Sequence, residues 1–338
     1  MTTFNEKLQA KWDEGKFVCV GLDSEYEKLR SSSRSSAAFG SINAFNQAIV
    51  DATADLACAY KPNIAFYSKY RLGGLQALEY TFDYIRRVAP DVPIILDAKR
   101  GDIGSTNEGY VEEAFNWFGA THPKWGDDPM DYGADAVTIN PYLGMEAMKP
   151  FLDRADKGVI VLCRTSNPGA GEFQDLEINV TWETAEQIGT AVKRGKHPWL
   201  GYDKQRAKLY QLVARNVACS WNYNGNCAVV AGATYPEELA QIRRIVGDIP
   251  ILIPGIGAQG GDLEATVKAG ANSRRQGMII NSSRGIIFAD DPRGETLKLH
   301  KAINAVLAAA WPKSTTTGLP AFAGGPEGRK ACWMHVKF

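Results

Sequence analysis

An α/β protein folded as a (β/α)8 TIM barrel is predicted by three observations. Eight short apolar runs recur along the chain, amphipathic stretches fall between them, and 338 residues are enough for eight such units to fill one closed sheet. The runs are 17–23 (FVCVGLD), 57–63 (ACAYKPN), 92–99 (VPIILDAK), 135–140 (DAVTIN), 158–163 (GVIVLC), 226–233 (NCAVVAGA), 250–256 (PILIPGI) and 277–283 (GMIINSS). They are nearly continuous in apolar residues rather than alternating, as parallel strands covered on both faces must be. Helix-like segments stand between or after them at 42–56, 75–88, 236–246 and 295–310. A doubly wound open sheet uses the same local pattern and is the rival architecture; length favours the barrel.

Three stretches break the repeat. Residues 31–36 (SSSRSS) form a polar loop. Residues 190–223 make a longer connection, with a basic, turn-rich piece ahead of a helix. Residues 312–338 contain Pro, Gly and Ser and fall outside the repeat. The expected organisation is one barrel domain over residues 1–311, with the extended connection inside it, and a C-terminal tail over 312–338.

Composition narrows the function. Lys plus Arg equals Asp plus Glu, so no overall field draws the chain to nucleic acid or to an anionic membrane. No apolar stretch approaches the roughly 18 residues a membrane span needs. The N-terminal residues are polar and carry acids, unlike a signal peptide or a clear transit peptide. Six cysteines include no C-x-x-C pair, which argues against zinc and for buried, reduced thiols in a cytoplasmic protein.

Taken in order, the runs end in polar residues: Asp23, Lys61 with Asn63, Asp97 with Lys99, Asn140, and Arg284 just past the last. In a barrel these ends converge on one mouth, where active sites lie. Asp97 and Lys99 are two apart and face the same side of a strand, and a carboxylate beside an ammonium keeps both charged. Asp102 follows where the chain leaves the strand, and Ser105-x-x-Glu108 reads as a capping box for the next helix. An ordinary βα loop with a solvated charge cluster has the same spacing. After the fifth run, RTSNPGAGEFQ (164–174) suits a lid, with Ser166 and Asn167 able to read an amide-like edge; a plain polar loop is the alternative. After the seventh, PGIGAQGGD (254–262) fits G-x-G-x-x-G but lies in the wrong place for a dinucleotide fingerprint. It reads better as a phosphate cradle, with Gln259 and Arg284 gripping the anion, against the alternative of a tight turn beside a surface arginine.

Together, VGLD, YKPN, DAKRGDIGST, INPYLG, TSNPGAGEFQDL, VAGAT, PGIGAQGGD and NSSRGIIFA resemble the orotidine 5'-monophosphate decarboxylases, from about Phe17 to Ala289. KPN, SNPG and GAQGG look most like the bacterial branch with longer chains. The resemblance implies decarboxylation of orotidine 5'-monophosphate to UMP and CO2 in pyrimidine biosynthesis, with no metal and no cofactor. It implies that Asp23 binds ribose hydroxyls and that Lys61, Asp97 and Lys99 form a charged array in which Lys99 protonates C6. It further implies that Asp102 reaches across a homodimer interface with Thr106 near it, that Ser166 meets the pyrimidine, and that Gln259 and Arg284 hold the phosphate. The connection at 190–223 is longer than a minimal member of the family needs, and the tail after Pro312 has no evident counterpart in the family.

Two other readings compete. Related barrels use Asp-x-Lys-x-x-Asp with Mg2+ as sugar-phosphate aldolases or decarboxylases, but they need a further carboxylate where this chain has Lys61, and a cation beside a divalent metal is unfavourable. A non-catalytic nucleotide binder on the same barrel is the other, although a binder has little reason to hold Asp97, Lys99 and Asp102 together.

Overall fold

The computed structural model describes residues 2–29, 38–116, 133–180, 205–256 and 261–311. Every predicted strand is present. In chain order they are β1 (Val18–Gly21), β2 (Ala57–Lys61), β3 (Ile95–Arg100), β4 (Ala136–Ile139), β5 (Gly158–Arg164), β8 (Cys227–Ala231), β9 (Ile251–Pro254) and β10 (Met278–Ser282). All pair in parallel, in the order β2-β1-β10-β9-β8-β5-β4-β3. The two ends of that order meet through single bridges, Tyr60 with Ile94 and Asn63 with Asp97. Tyr60 N donates to Pro93 O (3.0 Å) and Asp97 N to Pro62 O (2.9 Å). The sheet is therefore closed, and the open doubly wound alternative does not apply.

The strands form where they were expected because their residues are buried on both faces. β1, β2, β4, β8 and β10 carry no exposed position. Each buried Val, Leu or Ile side chain contributes roughly 1.5–3 kcal/mol relative to exposure, and β-branched residues suit the pleat. Helices cover the outside: α2 (Ala38–Thr53), α4 (Arg71–Val88), α5 (Gly104–Phe115), α6 (Gly144–Leu152), α9 (Pro236–Val246) and α12 (Pro292–Ala310) are the longest after the first strand.

The N-terminal residues fold into a helix that was not anticipated, α1 (Phe4–Asp13). Thr3 and Glu6 make a reciprocal capping box at its start. Phe4, Leu8 and Trp12, four apart on one face, are buried against the N-terminal end of the barrel. Gly158 at the start of β5 is required there, since a Cβ would lie 2.2 Å from the Phe4 ring. Trp12 Nε1 donates to Met278 O at 2.9 Å.

Other expectations are corrected. The helix after β3 is not opened by a Ser105–Glu108 capping box; α5 begins at Gly104 with Ile103 at its N-cap and no side-chain cap. Asn107 takes that role from inside the helix. Its amide accepts from Asp102 N (3.1 Å) and donates to Asp102 O (2.7 Å) and Ala147 O (2.5 Å). A buried amide satisfies the turn better than an exposed serine can. The connection after β5 contains an antiparallel pair, β6 (Glu177–Val180) with β7 (Gln205–Lys208), outside the barrel. Its short, largely polar strands have no apolar run to announce them. The expected helix follows as α8 (Leu209–Asn216), continued by a wider π-helical turn, Val217–Trp221. Cys19, Cys58, Cys163 and Cys227 are buried, and burial pushes the Cys19 thiol up to about 12, but Cys219 is exposed on that turn. The loop at 31–36, residues 190–204, the tail at 312–338 and Gln259 lie outside the described residues. No helix among the described residues is long and apolar enough to cross a membrane.

Candidate active site

The C-terminal ends of the barrel strands surround one cavity of about 430 Å3. Asp23, Lys61, Asp97, Lys99, Ser166 and Arg284 all line it. Residues from the segment after β1, from β2 and β3, from the loop after β5 and from the segment after β10 are thus brought together from across the sequence.

The centre is an alternating chain of charge. Lys61 Nζ stands 2.9 Å from Asp97 Oδ2 and 3.8 Å from Asp23 Oδ1. Lys99 Nζ stands 2.5 Å from Asp97 Oδ1. Asn63 Nδ2 approaches Asp97 Oδ2 at 3.4 Å. The Lys61 side chain is 5% exposed, whereas that of Lys99 is 47% exposed. Lys61 is a fixed internal charge and Lys99 is the cation that reaches open space.

Protonation follows from this packing. Burial alone would raise the Asp97 carboxyl, but Lys61 and Lys99 outweigh it and hold the group well below the usual carboxylate range. Burial alone would lower the Lys61 ammonium, but Asp97 and Asp23 outweigh it and hold the group above the usual lysine range. Both stay charged through the neutral range.

Asp97 and Lys99 do face one another, but not as neighbours on a regular strand. Lys99 has φ +50°, a left-handed conformation rare for a long side chain. The β3–β4 register slips between Leu96 and Arg100, so β3 bulges where the site begins.

Two acceptors on the cavity wall, Asp23 Oδ1 and Asn281 Oδ1, are buried without a hydrogen-bond partner among the described residues. Such atoms suit a ligand that brings hydroxyl or amide donors. Ser166 packs on Gly232, where a Cβ would lie 2.7 Å from the serine Cβ. The loop carrying it is held by its own bonds. Gln174 Oε1 accepts from Thr165 N (2.8 Å), Arg164 donates to Thr165 O (3.0 Å) and Arg164 pairs with Asp175 (3.0 Å).

On the side expected to hold a phosphate, Gly255 has φ +105°, a region open to glycine, and its carbonyl accepts from Gly261 N at 3.3 Å. The loop expected to cradle an anion is therefore pinched at its ends. Arg284 opens the short helix α11 (Arg284–Ile287) and is exposed, with no partner for its guanidinium among the described residues. Gln259, on the loop itself, lies outside the described residues.

Asp102 and Thr106 do not line this cavity. Asp102 Oδ1 accepts from Ile103 N at 2.7 Å, and Thr106 is exposed on the first turn of α5. Among the described residues no group of three or more His, Cys, Asp or Glu side chains is placed to hold a metal ion. Thr138, Gln174 and Asn281 also line the cavity and were not singled out from the sequence. Thr138 had a usable signal, being the one hydroxyl inside the otherwise apolar core AVTI of β4.

Comparison with known proteins agrees with this geometry. Residues 16–299 match the model of the orotidine 5'-phosphate decarboxylase / HUMPS family. An orotidine 5'-phosphate decarboxylase of Janthinobacterium sp. (strain Marseille) is 45% identical over 314 residues, covering 90% of this chain and 100% of that protein. One of Ralstonia pickettii (strain 12J) is 46% identical over 287 residues, covering 85% and 90%. The solved structure of the Leishmania donovani OMP decarboxylase superposes with a TM-score of 0.70 at 31% identity, covering 90% of this chain and 99% of that one. The chain belongs to the orotidine 5'-phosphate decarboxylase / HUMPS family.

Proposed function

We propose that the chain decarboxylates orotidine 5'-monophosphate to UMP and CO2, in the cytoplasm, without metal or cofactor. The observation that carries this reading is the Asp23–Lys61–Asp97–Lys99 chain, in which the outermost ammonium faces the cavity. Loss of CO2 from C6 leaves an electron pair in the plane of the ring, where the π system cannot delocalise it. Fixed charge must supply the stabilisation. A unit charge about 4 Å from an ammonium gains on the order of 4 kcal/mol at an effective dielectric of about 20. Lys99 supplies that ammonium and then gives its proton to C6. Asp97 and Lys61 keep it charged and aimed.

Asp23 takes the ribose hydroxyls, Ser166 the pyrimidine edge, and Arg284 with Gln259 the phosphate. The phosphate is remote from C6, so its grip organises the site rather than the reacting bond. Asp102 and Thr106 lie off the cavity of their own subunit, which supports their use in the site of a second copy within a homodimer. Ile103, Tyr142, Leu143 and Met145 add exposed apolar surface where the neighbouring helices begin. Residues 1–311 are read as a single barrel domain and 312–338 as a tail.

The HUMPS side of the family is the alternative to separate. Purified protein mixed with orotidine 5'-monophosphate is expected to remove the substrate's ultraviolet absorbance at the same rate with and without EDTA. Loss of turnover on chelation, or none at all from folded protein, would sink the reading.

A further inference from the structure

Thr138 lies in β4 and is 1% exposed. A hydroxyl inside a strand covered on both faces must find partners or be costly. This one has two, both on the bulged end of β3. Its Oγ1 donates to Asp97 Oδ1 (2.9 Å) and accepts from Lys99 N (3.0 Å). The direction is forced, because an ionised carboxylate only accepts and a backbone N–H only donates.

The register explains why a side chain is needed. Leu96 pairs with Val137 and Arg100 pairs with Ile139, so Asp97, Ala98 and Lys99 all stand opposite Thr138 alone. Regular pairing is lost across these residues, and the chain turns through φ +50° at Lys99. The Thr138 hydroxyl supplies the partner that the ladder cannot give to Lys99 N–H, and with its proton it fixes the Asp97 oxygen that faces the Lys99 ammonium.

We infer that Thr138 is a positioning residue for the reaction, its hydroxyl locking the bulge that aims Asp97 and Lys99 into the cavity. The kinetic part of this inference rests on the decarboxylase reading; the structural part does not. The competing role, filling space in the strand, needs only the shape of the side chain, and valine keeps that shape without the hydroxyl.

The test compares Thr138→Val, Thr138→Ala and Thr138→Ser in the full chain. Loss of the hydroxyl is expected to lower kcat about 100-fold while KM for orotidine 5'-monophosphate stays within about threefold, as for a misplaced reacting group with intact ground-state binding. Thr138→Ser, which keeps the hydroxyl and drops the methyl, is expected to hold kcat within about fivefold of the parent. Exchange of the Lys99 amide hydrogen in ligand-free protein is expected to rise about tenfold or more in Thr138→Val and to stay slow in Thr138→Ser. If Thr138→Val does not fold, Thr138→Ala provides the hydroxyl-free comparison. A hydroxyl-free variant with parental kcat, or a serine variant as impaired as valine, overturns the inference. Should the parent itself not decarboxylate, the functional reading fails, and the Lys99 exchange rate alone decides this one: unchanged protection in Thr138→Val overturns it, and the expected rise supports it.

Discussion

The two ends of the barrel each bury an aspartate between two cations. At the mouth, Asp97 stands between Lys61 and Lys99. At the closed end, Asp135 stands between Lys7 of α1 (2.8 Å) and Arg86 of α4 (2.7 Å). In both, burial alone would raise the carboxyl and the flanking cations outweigh it, holding the group below its usual range. The charge arithmetic is the same, and the surroundings separate the two. Asp135 also accepts from Ile94 N at 2.7 Å, and α1 lies over that end of the barrel, so the cluster ties helices to the sheet. At Asp97 the matching contacts lead to a bulged backbone, a half-exposed ammonium and a cavity. A buried ion triad is therefore no sign of chemistry by itself. The sign is a triad with one member open to space that a ligand can fill.

The contrast breaks most directly at Lys99. Lys99→Ala is expected to lower kcat by about 10⁴-fold or more with the protein still folded, since it removes the proposed proton donor. Residual turnover above a few per cent of the parent would mean that the mouth triad is structural as well.

Asp135→Asn should show the opposite pattern. It leaves Lys7 and Arg86 without their counter-charge and is expected to cost about 3 kcal/mol in urea unfolding at pH 7. The kcat of the folded fraction should stay within about twofold, as for a distant independent site. Because the folded pKa of Asp135 is depressed, its contribution is full above the ordinary aspartate value of about 3.9 and is lost as pH falls through the folded value. The stability gap between parent and Asp135→Asn should therefore hold from pH 7 to about 5 and narrow below about 4. A gap that does not narrow as pH falls below about 4 would remove the electrostatic account.

The smallest effect should come from the rim. Arg284→Ala is expected to raise KM and also to lower kcat about tenfold, if the proposed phosphate grip organises the site. A change in KM alone would confine Arg284 to uniform binding.

Legibility in the sequence followed burial. The eight strands could be read because a parallel strand covered on both faces must be a continuous apolar run, and few other structures write that pattern. The β6–β7 pair could not, since Glu177 to Val180 and Gln205 to Lys208 stand outside the core and carry no such constraint. The charged residues at strand ends could be read from their placement, as at Asp97 and Lys61. The conformation that makes them useful could not: nothing in DAKRG announces a left-handed Lys99, because the bulge is imposed by the neighbouring strand and stabilised by Thr138, some 40 residues away in sequence. The α1 helix was legible in principle, from Thr3-x-x-Glu6 and the spacing of Phe4, Leu8 and Trp12, but one short apolar stripe in an otherwise polar segment is a weak signal.

The closure of the barrel between β2 and β3 has one further consequence. That seam is joined by isolated bridges, and the Lys61–Asp97 pair lies directly across it. The two side chains are at once a clasp on the barrel wall and half of the proposed reactive array. Evolutionary drift at either position would be penalised twice, once through the fold and once through the chemistry. An inactive variant at Lys61 or Asp97 thus reports on catalysis only when its barrel is known to have stayed shut.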